Sequence, residues 1–265
     1  MKTLIPLILL LFASTGTAET LFPMPSVPDI TEADGWTFAL GAGLEYEAEY
    51  DGSDEYGVEA EPAFIVQKRT GNQVWFFEGQ ELGWRGRLSD LWLVQGGVRF
   101  EGGREESESP KLAGLGDTDD EIVGMFEARR ALGSDWRNWA AARAMAGGSG
   151  IGWLGVLAAG HTFAASEPGM GIDVFAFVTL ASDTFINRDF GVTEEQSANS
   201  GLPVTSLDGG YRSVGIQAAG RWRFGEHWQL QAEAGIEKYN SDIGDSPIAL
   251  EDYEAEVGLS LLYRF

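Results

Sequence analysis

The sequence contains no cysteine and only two histidines, His161 and His227. Without thiols there is no disulfide framework, no thiolate nucleophile and no thiolate metal site. Basic residues are also scarce: 18 Lys and Arg face 41 Asp and Glu, for a net charge of −23. That balance excludes nucleic acid as a partner, because phosphates demand a basic face. After residue 13 no apolar run approaches the ~20 residues of a membrane-spanning helix. The two histidines also leave hydrolase chemistry thin, since a Ser or Cys nucleophile needs a His base held by an acid. His227 sits in a "GEH" turn with no nucleophile in sequence reach, and His161 lies near a strand end. No catalytic residue, cofactor or metal site is expected. "DGSDEYG" (51–57) clusters oxygen ligands but lacks the spacing of a calcium loop, so it reads as an acidic turn. "GGREESESP" reads as a solvated acidic loop.

The chain opens on a short positive segment at Lys2 and an apolar stretch, "LIPLILLLFA", followed by "GTA". This is the pattern of a secretory signal peptide over residues 1–18, cleaved after Ala18. Residues 19–35 form a proline-rich lead-in with little pattern, carrying Pro23, Pro25 and Pro28. The remainder, 36–265, is rich in glycine and aromatics and alternates with period two. Trp36, Phe38, Leu40, Ala42, Leu44, Tyr46, Ala48 and Tyr50 make one face of a first strand. Glu45, Glu47 and Glu49 lie on the other. The chain ends in the same way: Tyr253, Val257, Leu259, Leu261, Tyr263 and Phe265 alternate with Asp252, Glu254 and Glu256. Strands this long exceed the five or six residues usual in a soluble sandwich, and suit a tilted membrane strand.

The chain is therefore expected to be an all-β, antiparallel meander barrel embedded in the outer membrane. Strand parity, short turns on one side and long loops on the other give twelve strands. The count requires Gln73–Leu88 to be split at Glu78-Gly79 into two short strands; without that split the count falls to ten. Trp222, Phe224, Trp228, Tyr263 and Phe265 cluster near one set of turns, as in an interfacial aromatic girdle.

With odd positions of the last strand toward lipid, Glu45, Glu47, Glu49, Asp252, Glu254 and Glu256 share one stretch of lumen wall once the barrel closes. Arg85, Arg87, Arg99, Arg221 and Arg223 fall on lumen positions facing them. The lumen is then either a polar conduit or ligand site, or a plug of salt-bridged side chains.

Several short stretches resemble the MipA/OmpV family of outer-membrane proteins. They are "YDGSDEY" with Gly52, Ser53 and Asp54; Phe190-Gly191-Val192 with Gln196-Ser197 and Ser200-Gly201-Leu202-Pro203; "GDSPI" with Asp245, Ser246 and Pro247; and the ending "GLSLLYRF". The resemblance implies a non-enzymatic scaffold linking a murein lytic transglycosylase with a bifunctional murein synthase in peptidoglycan assembly. OmpV-like relatives are associated instead with osmotic or antibiotic response and with adhesion. A narrow solute channel is the alternative that the charged lumen suggests. Phe265 resembles the terminal signal read by the barrel-assembly machinery, so that machinery and outer-membrane lipid are expected partners.

Overall fold

The computed structural model describes residues 34–134, 136–148, 150–164 and 170–265. The signal segment and all but the last two residues of the lead-in lie outside them. Twelve strands form a closed antiparallel barrel in which each pairs with its sequence neighbours and β1 pairs with β12. They are β1 (Gly35–Ala48), β2 (Tyr56–Thr70), β3 (Gln73–Glu78), β4 (Glu81–Ser89), β5 (Trp92–Glu101), β6 (Glu121–Ala131), β7 (Asn138–Ala146), β8 (Trp153–Ala164), β9 (Met170–Ala181), β10 (Gly210–Phe224), β11 (Trp228–Tyr239) and β12 (Tyr253–Arg264). Closure runs from Ala39↔Arg264 to Tyr46↔Val257.

The period-two pattern sorts the side chains. Trp36, Phe38, Leu40 and Leu44 of β1 and Val257, Leu259 and Leu261 of β12 all point outward and are exposed. Comparable residues continue around the ring, among them Ile122, Phe126, Leu157, Ile216 and Ile236. A continuous apolar belt of this kind is too large for a water-facing surface, and it matches the lipid face of a membrane barrel. With all ladder bonds closed on themselves, no strand edge need face lipid unpaired. One departure exists. The β3–β4 hairpin is short, and β2 pairs with β3 only over Ile65–Thr70. Among the described residues, Tyr56–Phe64 therefore pairs with β1 alone. Pro62 sits on this half-paired stretch, where a sheet tolerates a missing N–H.

The connections 71–72, 90–91 and 225–227 are short, and both ends of the described chain lie with them. The connections 49–55, 102–120, 182–209 and 240–252 are long. In bacterial barrels the short turns face the periplasm and the long loops face outward. Near the short turns Trp222 packs on Phe224 (centroids 5.1 Å apart). Tyr263 packs on Trp228 (5.2 Å) and on Phe265 (5.2 Å). These rings form an interfacial girdle at that rim. No helix among the described residues is long and apolar enough to cross a membrane.

Candidate functional site

The long loops fold into a lid over the lumen. Helix α1 (Asp183–Phe190) is capped by Ser182, whose hydroxyl accepts from Phe185 N. Its apolar side (Phe185, Ile186 and Phe190) descends onto lumen residues Phe175, Phe177 and Tyr239. Helix α2 (Glu194–Ser200) begins with a capping box between Thr193 and Gln196 and ends at Gly201, whose φ of +78° is the left-handed cap conformation that glycine adopts freely. A short turn of helix, α3 (Ser241–Gly244), buries Ile243 in the same core.

The stretches that carry the family resemblance meet in this lid. Ser246 Oγ donates to Phe190 O at 2.6 Å, joining the "DSPI" segment to the "FGV" segment. Gly52, at φ +81°, lies so close that an added Cβ would stand 3.1 Å from the Phe190 ring and 3.2 Å from Ala249. Its carbonyl accepts from Leu250 N and Glu251 N. Ser53 is buried and its hydroxyl accepts from Glu55 N. Gln196 Nε2 donates to Leu115 O, and Ser197 Oγ donates to Leu202 O. Ser200 Oγ donates to Gln196 O. Tyr50, Leu112, Leu115, Val192 and Ile248 form a second apolar cluster, with Leu202 packed against it. Gly191 and Val192 are buried, Pro247 is half-buried, and Asp54, Pro203 and Asp245 are exposed at its surface.

Below the lid, β4 to β7 hold a lattice of buried charges. Arg143 Nη1 is 2.9 Å from Glu81, and Arg143 Nη2 is 2.8 Å from Glu127. Arg129 reaches Glu127 at 3.2 Å and stacks 4.4 Å above the Trp139 ring. Arg99 bridges Glu81 (3.6 Å) and Glu101 (2.9 Å). Gln95 also donates to Glu81. Alternation predicts that these positions point inward, but not which of them meet. Of this lattice the sequence reading names Arg99 alone.

The other side of the lumen is acidic and under-compensated. Glu45 and Glu47 of β1, Glu254 and Glu256 of β12, Glu59 and Glu61 of β2, and Glu233 and Glu237 of β11 all point inward. One of the six expected wall carboxylates does not belong here. Glu49 lies just beyond β1 but still faces inward, close to Gly57, and lines the cavity beneath the lid with Glu254 and Glu256. Asp252 precedes β12 at the exposed rim, 2.5 Å from Lys238. The strand begins only after Asp252, so alternation does not govern that position. Register sets Glu45 opposite Glu59, and Glu237 opposite Glu254. Like charges directly opposite are destabilising. Some are answered: Glu254 accepts from Tyr239 Oη at 2.6 Å, and Glu256 from Gln217 at 2.9 Å. Glu45 and Glu61 each keep a buried oxygen without a hydrogen bond. Both line a cavity of about 210 Å³ together with Glu233 and Arg99. Among the described residues no group of three or more acids and histidines is placed to hold a metal ion.

The expected arginine wall is also rearranged. Arg85 and Arg99 are neutralised on their own side, Arg85 by Glu78 at 2.7 Å. Arg87, Arg221 and Arg223 lie toward the short turns, with Arg223 Nε donating to Gln229 at 3.3 Å. Arg212, absent from the sequence reading, anchors the lid to the barrel. It binds Asp51 at 2.7 Å and Glu237 at 2.8 Å, and stacks 5.0 Å from Tyr239. Within the lid, Arg104 donates to Asp189 O, and Arg188 to Gly102 O. Burial, then the neighbouring Asp51, pushes the Asp189 carboxyl up to about 6. Burial likewise pushes Glu108 up to about 7, against the opposing backbone hydrogen bond at Glu105 and the Arg104 charge. Of the histidines, His227 Nδ1 contacts Arg264 O, and His161 Nδ1 contacts Asn138 Oδ1.

The family described as MltA-interacting protein MipA matches residues 40–265. The chain belongs to this family. No curated protein matches the sequence significantly. Among solved structures, an outer-membrane channel from Pseudomonas putida F1 is 12% identical, with a TM-score of 0.44 over 88% of this chain and 97% of that one. The toluene transporter TbuX of Ralstonia pickettii is 11% identical, with a TM-score of 0.42 over 89% of this chain and 90% of that one. The translocator domain of autotransporter NalP from Neisseria meningitidis is 10% identical, with a TM-score of 0.44 over 89% of this chain and 90% of that one. Family membership and the apolar belt make the chain an outer-membrane barrel of the MipA family.

Proposed function

We propose that this barrel is a non-enzymatic, non-conducting scaffold. It holds a murein lytic transglycosylase of the MltA kind at the periplasmic face and, through it, a bifunctional murein synthase in peptidoglycan assembly. The observation that carries this reading is the filled lumen. An ion lattice crosses it on β4–β7, apolar side chains pack beside the lattice, and a folded lid caps it. The resemblance-bearing residues pack that lid, which supports a structural role for them. The outer loops then leave partner binding to the periplasmic turns and to residues 19–35, exported by a signal peptide cleaved after Ala18. A photo-crosslinking residue in place of Glu226, and another in place of Pro25, tests this in intact cells. Murein enzymes captured from those positions and not from Asp54 support the scaffold; capture from Asp54 alone contradicts it.

A second reading rests on the acidic cavity: a narrow, selective solute path. Ohmic current whose selectivity shifts in Glu45→Gln and Glu254→Gln would favour it.

A further inference from the structure

At the opposite end of the lumen from the lid, three arginines surround a cavity of about 210 Å³, lined also by Gly71, Asn72, Val74 and Gly86. They come together through register. Arg69, next to last in β2, lies opposite Val74 of β3, and Val74 lies opposite Arg85 of β4. Arg87 is one inward position further down β4. Val74 is small and apolar, so it leaves room for the flanking guanidinium groups without neutralising them.

The three are not equally occupied. Arg85 spends its two terminal nitrogens on Glu78, which also accepts from Gln67. Arg87 leans on the carbonyl of Asp90 at 3.2 Å, and its carboxylate contact at 3.7 Å is to a fully exposed Asp90. Arg69 has neither a hydrogen bond nor an ion pair with any described residue, although only 9% of it is exposed. Asp34, beside the same turn, is engaged with Gly71 N at 2.8 Å. In a chain of net charge −23, an arginine set in the lumen wall without a carboxylate marks a place that can take negative charge from outside. Guanidinium groups fixed at neighbouring strand positions suit an oxyanion, which accepts two parallel N–H bonds from each planar fork. The turn 71–72 closes this end, so the cavity communicates with the short-turn side of the membrane.

We propose that this pocket binds a small oxyanion, a carboxylate or phosphate, entering from the periplasm. Arg69 is the principal contact, Arg87 turns from Asp90 to join it, and Glu78 limits the part Arg85 plays. The site is independent of the scaffold reading: it requires only the barrel.

The test is calorimetric titration of the full-length barrel in zwitterionic detergent, once with inorganic phosphate and once with acetate. Heat-modifiable migration confirms that each variant is folded. Wild-type protein is expected to bind at least one probe, more weakly as sodium chloride rises. Which probe binds more tightly assigns the chemistry. Arg69→Gln should lower affinity by about tenfold or more, as expected for a lost charge-assisted bond. Glu78→Gln should raise it by releasing Arg85. Repeating the phosphate titration in nanodiscs with and without phosphatidylglycerol separates sources: competition by the anionic lipid means that a headgroup fills the pocket, and its absence means that a soluble anion does. Folded wild type that binds neither probe, or Arg69→Gln that binds as well as wild type, would overturn the proposal.

Discussion

Two walls of the same lumen solve the problem of filling a barrel in opposite ways. From β6 to β9 the inward residues include Val123, Met125, Trp139, Met145, Leu154, Val156, Phe175 and Phe177, and they pack with the lid into one apolar core. From β11 around to β2 the inward residues are dominated by glutamate, with glycines between them. Gly258 and Gly235 stand where a Cβ would meet Glu233 and Glu256 at 2.8 and 2.9 Å, so the glycines make room for carboxylates. The first wall gains stability from close packing, and the second forgoes it for polar space. Between them stands the lattice on β4–β7, where every arginine has an acid. The comparison teaches that a membrane barrel can carry a water-soluble style of core on one side of its lumen only.

Substitutions can break this contrast. The largest effect is expected from Arg143→Met, which leaves Glu81 and Glu127 facing each other in a buried site. Loss of one partner of a buried pair costs ~3–5 kcal/mol, to be read from guanidine unfolding of the refolded barrel in detergent. The outer surface offers a control: Leu259→Arg should cost ~2–4 kcal/mol near the bilayer midplane, whereas Glu256→Gln on the inner face of the same strand should be far milder. Ser246→Ala should cost ~1–3 kcal/mol, since Phe190 O loses its buried donor, and limited proteolysis should then cut the lid sooner. Glu45→Gln should be neutral to stabilising by up to ~1 kcal/mol, because it removes a like charge opposite Glu59. A large loss there would mean that the acidic wall is neutralised more fully than its geometry allows.

The lid adds a pH dependence of defined sign. Glu108 and Asp189 have folded-state values raised above their ordinary ones, so the folded lid binds more protons than the opened one across that interval. Their contribution is most favourable at acid pH and declines as pH rises toward about 7 for Glu108 and about 6 for Asp189. Protease access to segment 102–120 should therefore increase from pH 5 to pH 7.5, and Glu108→Gln should flatten the change.

Much of the barrel was legible before any coordinates. Alternation in β1 and β12, and parity of the turns, predict twelve strands and the split at Glu78-Gly79, because lipid on one side and charge on the other leave a period-two signature. The signature fades at β6 to β9. There Met125, Trp139 and Phe175 are as apolar as their lipid-facing neighbours, so the apolar half of the lumen does not announce itself. Asp252 was misplaced because alternation has no meaning beyond a strand end. Arg143 and Glu81 lie 62 residues apart and meet only through the curvature of the sheet from β4 to β7, which no local pattern encodes. The stretches that build the lid stood out only through the family resemblance, and the bond from Ser246 to Phe190 spans 56 residues.

The proposed scaffold requires a lumen that is closed at rest. Planar-bilayer recording of the refolded full-length barrel tests this directly. Wild type should insert without stepwise conductance, and a variant lacking residues 183–207 should show larger current than wild type. Frequent ohmic steps from the intact, heat-modifiable wild-type barrel would contradict it.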